Sequence, residues 1–271
     1  MPTIEHAGAR LHYDRAGAGP PLLLVQGVGL IGRGWQPQVD SLRERFTVIT
    51  FDNRGIGAST AGPGPLSIEL MAQDALAIMD AEGLTRFHLA GHSMGGVIAQ
   101  QVALAAPGRV MSLALLCTFP RGAEATRLTW PVLAAGLRTR IGTRRMRRRA
   151  FVDLVMPPAT RGNEDVDAVA ASLAPLFGRD LADQPPIVMT QLRAMGKFDA
   201  LARLGELAHI PTLVISARYD VISRAALGPV LAAAIPGARF LEVADAGHGV
   251  TIQRASTINA MLAAHMADAA V

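Results

Sequence analysis

Ser93 sits in the run Gly91-His92-Ser93-Met94-Gly95-Gly96, which fits the pattern G-x-S-x-G. A serine hydroxyl is a weak nucleophile at neutral pH. It needs a general base within hydrogen-bond reach, and that base needs an acid to orient it. The flanks of the run suit such a nucleophile. Phe87-His88-Leu89-Ala90 reads as a short buried strand, and Val97 to Leu104 as an alanine-rich helix. Strand, sharp turn and helix lift a serine above the end of a sheet, with small residues at positions 91 and 95 where the two elements approach closely. Base and acid are expected on loops at the carboxyl ends of later strands. Two such loops carry them. Ala217-Arg218-Tyr219-Asp220 follows the strand-like Leu213 to Ser216, and Ala244-Asp245-Ala246-Gly247-His248-Gly249 follows Arg239 to Val243. The candidates therefore run Ser93, Asp220, His248 along the chain.

Each candidate has competitors. The other histidines are His6, His12, His88, His92, His209 and His265, and none stands in a glycine-flanked loop after a late strand. His92 adjoins the serine, but its side chain is expected to point away from Ser93 and to serve packing. Asp245, three residues before His248, reads as a surface residue.

These segments resemble the α/β-hydrolase fold superfamily over essentially the whole chain. The order serine, acid, histidine is the one that family uses. Phe51-Asp52-Asn53-Arg54-Gly55-Ile56-Gly57-Ala58-Ser59 is similar to its D-x-R-G-x-G-x-S loop, and Ala246-Gly247-His248 to its A-G-H segment. The resemblance implies that Ser93 is the nucleophile, His248 the base and Asp220 the acid, with no metal and no cofactor. No acid follows the strand Met111 to Cys117, where some relatives carry theirs. Two backbone donors must stabilise the oxyanion. One is expected at Met94, directly after the nucleophile. The resemblance places the other at Val28, in the loop Gln26-Gly27-Val28-Gly29. Many relatives have His-Gly where this chain has Gln26-Gly27, but the donor is a backbone amide. Asp52, Arg54, Gly55 and Gly57 are expected to hold loops in place.

The elements that must position these residues alternate between apolar strand-like runs and helices. That pattern predicts an α/β fold, a mostly parallel central sheet flanked by helices. Expected strands are Arg10–Tyr13, Pro21–Val25, Phe46–Phe51, the elbow strand, Met111–Cys117, Pro211–Ser216 and Arg239–Val243. Expected helices include Trp35–Leu42, Ser67–Glu82 and Ser256–Met266. From about Phe119 to Gly205 the alternation stops, and helical segments broken by prolines take over. This block reads as an all-helical cap, residues 119–205, inserted between late strands of a core made of residues 1–118 and 206–271. The cap is expected to set specificity. Phe119, Trp130, Phe151, Met156, Phe177 and Met189 are its candidate substrate-binding residues.

Composition narrows the remaining classes. The chain has 271 residues and half are hydrophobic, enough for a full core. A single cysteine, Cys117, excludes an internal disulfide. No basic-then-apolar leader and no apolar run of spanning length is present, so a cytoplasmic protein without a membrane span is expected. The net charge of +4 is small, and no nucleic-acid motif accompanies it. Arginine supplies 25 of the 26 basic residues, a bias of the whole chain. Even so, Arg138, Arg140, Arg144, Arg145, Arg147, Arg148 and Arg149 crowd one stretch. They read either as a solvated helix face or as a surface that attracts an anionic substrate or membrane.

The expected activity is hydrolysis of a small carboxylic ester or lactone through an acyl-enzyme. Other chemistries use the same constellation. A C–C bond hydrolase of vinylogous diketones is separated by its products, and a cofactor-free haloperoxidase by peroxide-dependent bromination. A ligand receptor on the same fold is separated by failure of Ser93 to react with a fluorophosphonate.

Overall fold

The structure is a computed structural model that describes residues 2–123, 130–160 and 165–269, with backbone alone at 130–133 and 160. Eight strands form one sheet in the order β1-β2-β4-β3-β5-β6-β7-β8. They are β1 (Thr3–His6), β2 (Ala9–Ala16), β3 (Pro21–Val25), β4 (Thr47–Phe51), β5 (Phe87–His92), β6 (Val110–Leu116), β7 (Thr212–Ala217) and β8 (Arg239–Val243). β1 and β2 form a hairpin whose turn residues, Ala7 and Gly8, both have positive φ, the geometry that matches strand twist. β2 runs antiparallel to β4, and every pairing from β4 to β8 is parallel.

Parallel strands need cover on both faces, which is why β4, β5 and β7 are buried along their whole length. One face is covered by α1 (Gln36–Leu42) and α9 (Ala255–Asp268). Leu42, Ile258, Leu262 and Met266 pack there against Leu22, Leu24 and Ile215. The other face carries α2 (Ile68–Ala81), α3 (Met94–Ala105) and α8 (Leu227–Ala234). The helical spacing of Ile68, Met71, Ala75 and Met79 turns all four into the core. Ser67 caps α2 by accepting from the Leu70 amide at 3.1 Å, and Gly83 ends it at φ +67°.

Between β6 and β7 the described regular elements are helices joined by turns, and a single bridge of Arg121 with Asp199 is the only strand-type pairing there among the described residues. This stretch forms α4 (Trp130–Arg138), α5 (Arg144–Val155), α6 (Val166–Phe177) and α7 (Val188–Gly196). Val152, Val166, Ala170, Phe177 and Leu181 make a separate apolar cluster in this segment. Much of its arginine charge is neutralised locally. Arg144 pairs with Asp180 and Asp183, Arg148 with Asp167 and Asp180, and Arg145 with Asp167. No described helix is long and apolar enough to cross a membrane.

The strand order places the site. β3 leads to β4 on one side and β5 leads to β6 on the other, so a crevice opens above their carboxyl ends. The segments after β3 and β5, Gln26–Gly29 and Ser93, meet in that crevice.

Candidate active site

Ser93 joins β5 to α3 with φ +56° and ψ −121°, a conformation that L side chains rarely adopt. Packing holds it there. A Cβ at Gly91 would stand 2.2 Å from the Gly95 carbonyl oxygen, and one at Gly95 2.0 Å from that of Val25. Only glycine at both positions lets α3 start directly over the sheet. The Ser93 amide donates to the Leu116 carbonyl at 2.9 Å, and its carbonyl accepts from Thr118 Oγ1 at 2.8 Å. The turn is thus tied to the end of β6. The hydroxyl makes no hydrogen bond among the described residues, and Ser93 lines a cavity of about 470 Å³.

His248 lines the same cavity, and Asp220 lies behind it. His248 Nδ1 and Asp220 Oδ2 are 2.7 Å apart, with both side chains buried. The other carboxylate oxygen, Oδ1, accepts from the Ile222 and Ser223 amides at 2.8 Å each. An aspartate held by three donors is fixed in place. It orients the imidazole and leaves Nε2 as the free nitrogen. Asp245, the rival acid, is instead exposed and paired with Arg254.

His92 does not simply face away from this assembly. Its ring lies 4.8 Å from that of His248, and its Nε2 donates to the His248 carbonyl at 2.8 Å. Complete burial pushes its pKa down to about 3, so it stays neutral and is held as the Nε2–H tautomer. Cys117, at φ +46° after β6, places its thiol against Asp220. Burial, helped by that carboxylate, pushes the thiol well above its usual range. His92, Cys117 and His248 bring ligand-type atoms within 4.8 Å of one another. Their bonds run to one another's surroundings, a protonated thiol and two oriented imidazoles, which suits positioning of His248 better than holding an ion.

Buried neutral histidines make stability depend on pH. His88, against Ser112 Oγ at 2.8 Å, is pushed down to about 4 by burial. Between 6.5 and 4 the unfolded chain binds protons that folded His88 and His92 refuse, so stability falls as pH falls through that window. The urea midpoint should therefore drop steadily from pH 7 to pH 4.5, and His88→Gln should flatten the slope. An unchanged slope in that variant contradicts the assignment.

The loop after β3 has two of its amides engaged. Gly27 N donates to Gln26 Oε1 at 2.9 Å, and Gly29 N to Gln191 Oε1 at 2.8 Å. Val28 N, between them, donates to no described group. Met94 is the first residue of α3, so its amide is one of the unpaired donors of a helix N-terminus. Gly27 lies tight against the serine, since a Cβ there would stand 3.1 Å from Ser93 Cβ. Asn53 Nδ2 supports the loop from below by donating to the Gln26 carbonyl at 3.1 Å. Asp52 accepts from the Gly32 and Ala58 amides at 2.8 and 2.9 Å and thereby links two loops.

The cavity wall is mostly apolar. Phe119, Phe151, Met156 and Phe177 line it. The Trp130 side chain lies outside the described residues. Met189 requires a correction, because it is 41% exposed and faces a second, smaller cavity. On α7 the inward stripe is Val188, Leu192 and Met195, and Met189 is turned about 100° away from it. Sequence reasoning also missed Gln191 and Arg179. Both act on Gly29, some 150 residues earlier in the chain, and no local pattern encodes such contacts.

An eight-stranded parallel-type sheet with a strained serine turn at its switch point defines a class of hydrolytic enzymes. A family model for the alpha/beta hydrolase fold matches residues 20–255, and this chain belongs to that family. It is 32% identical, over 97% of both chains, to an Azorhizobium caulinodans protein named "Putative carbamate hydrolase RutD". Among solved structures it resembles an enol-lactonase from Burkholderia xenovorans LB400, with TM-score 0.81 and 27% identity over 98% of this chain and 100% of that one. It also resembles "Putative non-heme bromoperoxidase BpoC" from Mycobacterium tuberculosis H37Rv, with TM-score 0.82 and 27% identity over 96% of each chain. The protein is accordingly a hydrolase of the α/β fold.

Proposed function

We propose that the protein is a serine hydrolase of small carboxylic esters or lactones, with Ser93, His248 and Asp220 as its triad. The observation that carries this reading is the cavity. It exposes the strained Ser93 and the Asp220-bound His248 together, within a mostly apolar wall. In this reading His248 Nε2 takes the Ser93 proton as Oγ attacks the substrate carbonyl. The amides of Val28 and Met94 donate to the oxyanion as charge develops. His248 then returns the proton to the leaving alkoxide. A water, deprotonated by the same imidazole, releases the acid and restores Ser93. No step needs a metal or a cofactor. The helical segment 119–205 acts as a cap whose phenylalanines and Met156 select the substrate's apolar part.

The carbonyl of an enol-lactone or a carbamate offers the same electrophile, so the names of the relatives fit this mechanism. The test is a panel of p-nitrophenyl esters of increasing acyl length beside several lactones and carbamates. Saturable turnover of short or medium esters or lactones, with no added metal, is expected. Peroxide-dependent bromination without ester or lactone cleavage sinks the reading.

A further inference from the structure

Arg179 is the only fixed charge among the described residues that line the cavity, and no carboxylate lines it. Its guanidinium hydrogen-bonds only to carbonyls and lies over the Phe177 ring, 6.0 Å from the centroid. Nε donates to Asp183 O at 2.8 Å, and Nη1 to Gly29 O at 2.5 Å and to Phe177 O at 3.2 Å. Nη2, which is not sealed in the interior, has no partner among the described residues. The nearby acids are already taken. Asp180 serves Arg144 and Arg148, and Asp183 serves Arg144. Arg179 also forms no ion pair with any other described residue. A partly buried cation with no ion-pair contact is costly to keep; burial lowers its pKa, and the more distant charge of Asp183 only partly opposes this. Its place is also informative. Through Gly29 it sits on the loop that leads back to Gly27 and Ser93.

We infer that Arg179 is the anchor for a carboxylate carried by the substrate, so that the preferred ester or lactone is an anionic one. This rests on the hydrolase reading above. It relocates the anion attraction suggested by the arginine-rich stretch. Arg144, Arg145 and Arg148 there have acid partners, whereas Arg179 has none. The guanidinium offers a charge-assisted hydrogen bond in an apolar wall, where such a bond discriminates strongly.

Two matched pairs test it. One places the charge on the acyl side, p-nitrophenyl hydrogen adipate against p-nitrophenyl hexanoate. The other places it on the alcohol side, 4-acetyloxybutanoate against butyl acetate. In at least one pair the wild type should prefer the charged member about tenfold to a hundredfold in kcat/KM, the range for a hydrogen bond to a charged group. Arg179→Gln should bring that ratio close to one. Because Arg179 also holds Gly29, the ratio is the readout, since a lost tether slows both members alike. Gln191→Met removes the other Gly29 tether without touching charge, and should keep the ratio. A wild-type ratio near one in both pairs, or a ratio that survives Arg179→Gln, overturns the proposal. If neither esters nor lactones turn over, the ester and lactone reading has failed, and binding decides the anchor alone. Adipate should then raise the melting temperature of the wild type and not of Arg179→Gln, while 1,6-hexanediol raises neither. Equal or absent adipate shifts in the two proteins overturn it.

Discussion

Replacing Ser93 by alanine should lower ester or lactone turnover by roughly a millionfold, the scale seen when a triad nucleophile is deleted. The melting temperature should change little, because the hydroxyl makes no hydrogen bond among the described residues. KM should also change little, since the apolar wall and the loop after β3 remain. What survives is the oxyanion contribution of Val28 and Met94, which acts on water attack alone. His248→Ala should cost a similar factor, and the double variant little more, because the two residues act as a unit. Kinetics on the purified variants check this. Ser93→Ala activity within about a hundredfold of wild type contradicts the mechanism, since triad deletions cost far more.

Asp74→Asn should destabilise the fold by about 3–5 kcal/mol, the cost of breaking a buried ion pair on one side. Asp74 and Arg54 are each about 1% exposed at the side chain, and they meet through two 2.6 Å hydrogen bonds. His6 Nδ1 adds a third contact to Asp74 at 2.6 Å. Removing the carboxylate's charge leaves the Arg54 guanidinium sealed in the interior with no counter-charge, facing one amide oxygen and the Ala61 and His6 carbonyls. The double variant Arg54→Met/Asp74→Leu should recover much of the loss, because an apolar pair leaves no buried charge. Urea unfolding of the three proteins measures it. Equal destabilisation by single and double variants contradicts the argument. The pair also bears on the site. It fixes the segment after β4, whose Asn53 supports Gln26 and whose Asp52 bridges to Gly32.

The sheet and the three central residues are legible in the sequence because each leaves a local mark. Buried parallel strands read as continuous apolar runs, and β3 and β8 keep their expected limits, Pro21–Val25 and Arg239–Val243. The elbow is legible because close packing admits only glycine at 91 and 95. Elements without such marks are silent. β1, Thr3-Ile4-Glu5-His6, is an exposed edge strand with no apolar alternation. α8 begins Leu227-Gly228-Pro229, residues that read as a break, although Pro229 falls in the first turn where its missing N–H costs nothing. Long-range contacts are silent too. The hold of Gln191 and Arg179 on Gly29 exists only once the helical segment has docked. Met189 shows the limit at finer scale. Its residue type suits a pocket, but the phase of α7, set by tertiary packing, turns it outward.

The most direct test is reaction with a fluorophosphonate, read by intact mass and peptide mapping. The account predicts one covalent adduct per chain, on Ser93, absent from Ser93→Ala and strongly slowed in His248→Ala. An unmodified protein, or an adduct on any other residue, contradicts it.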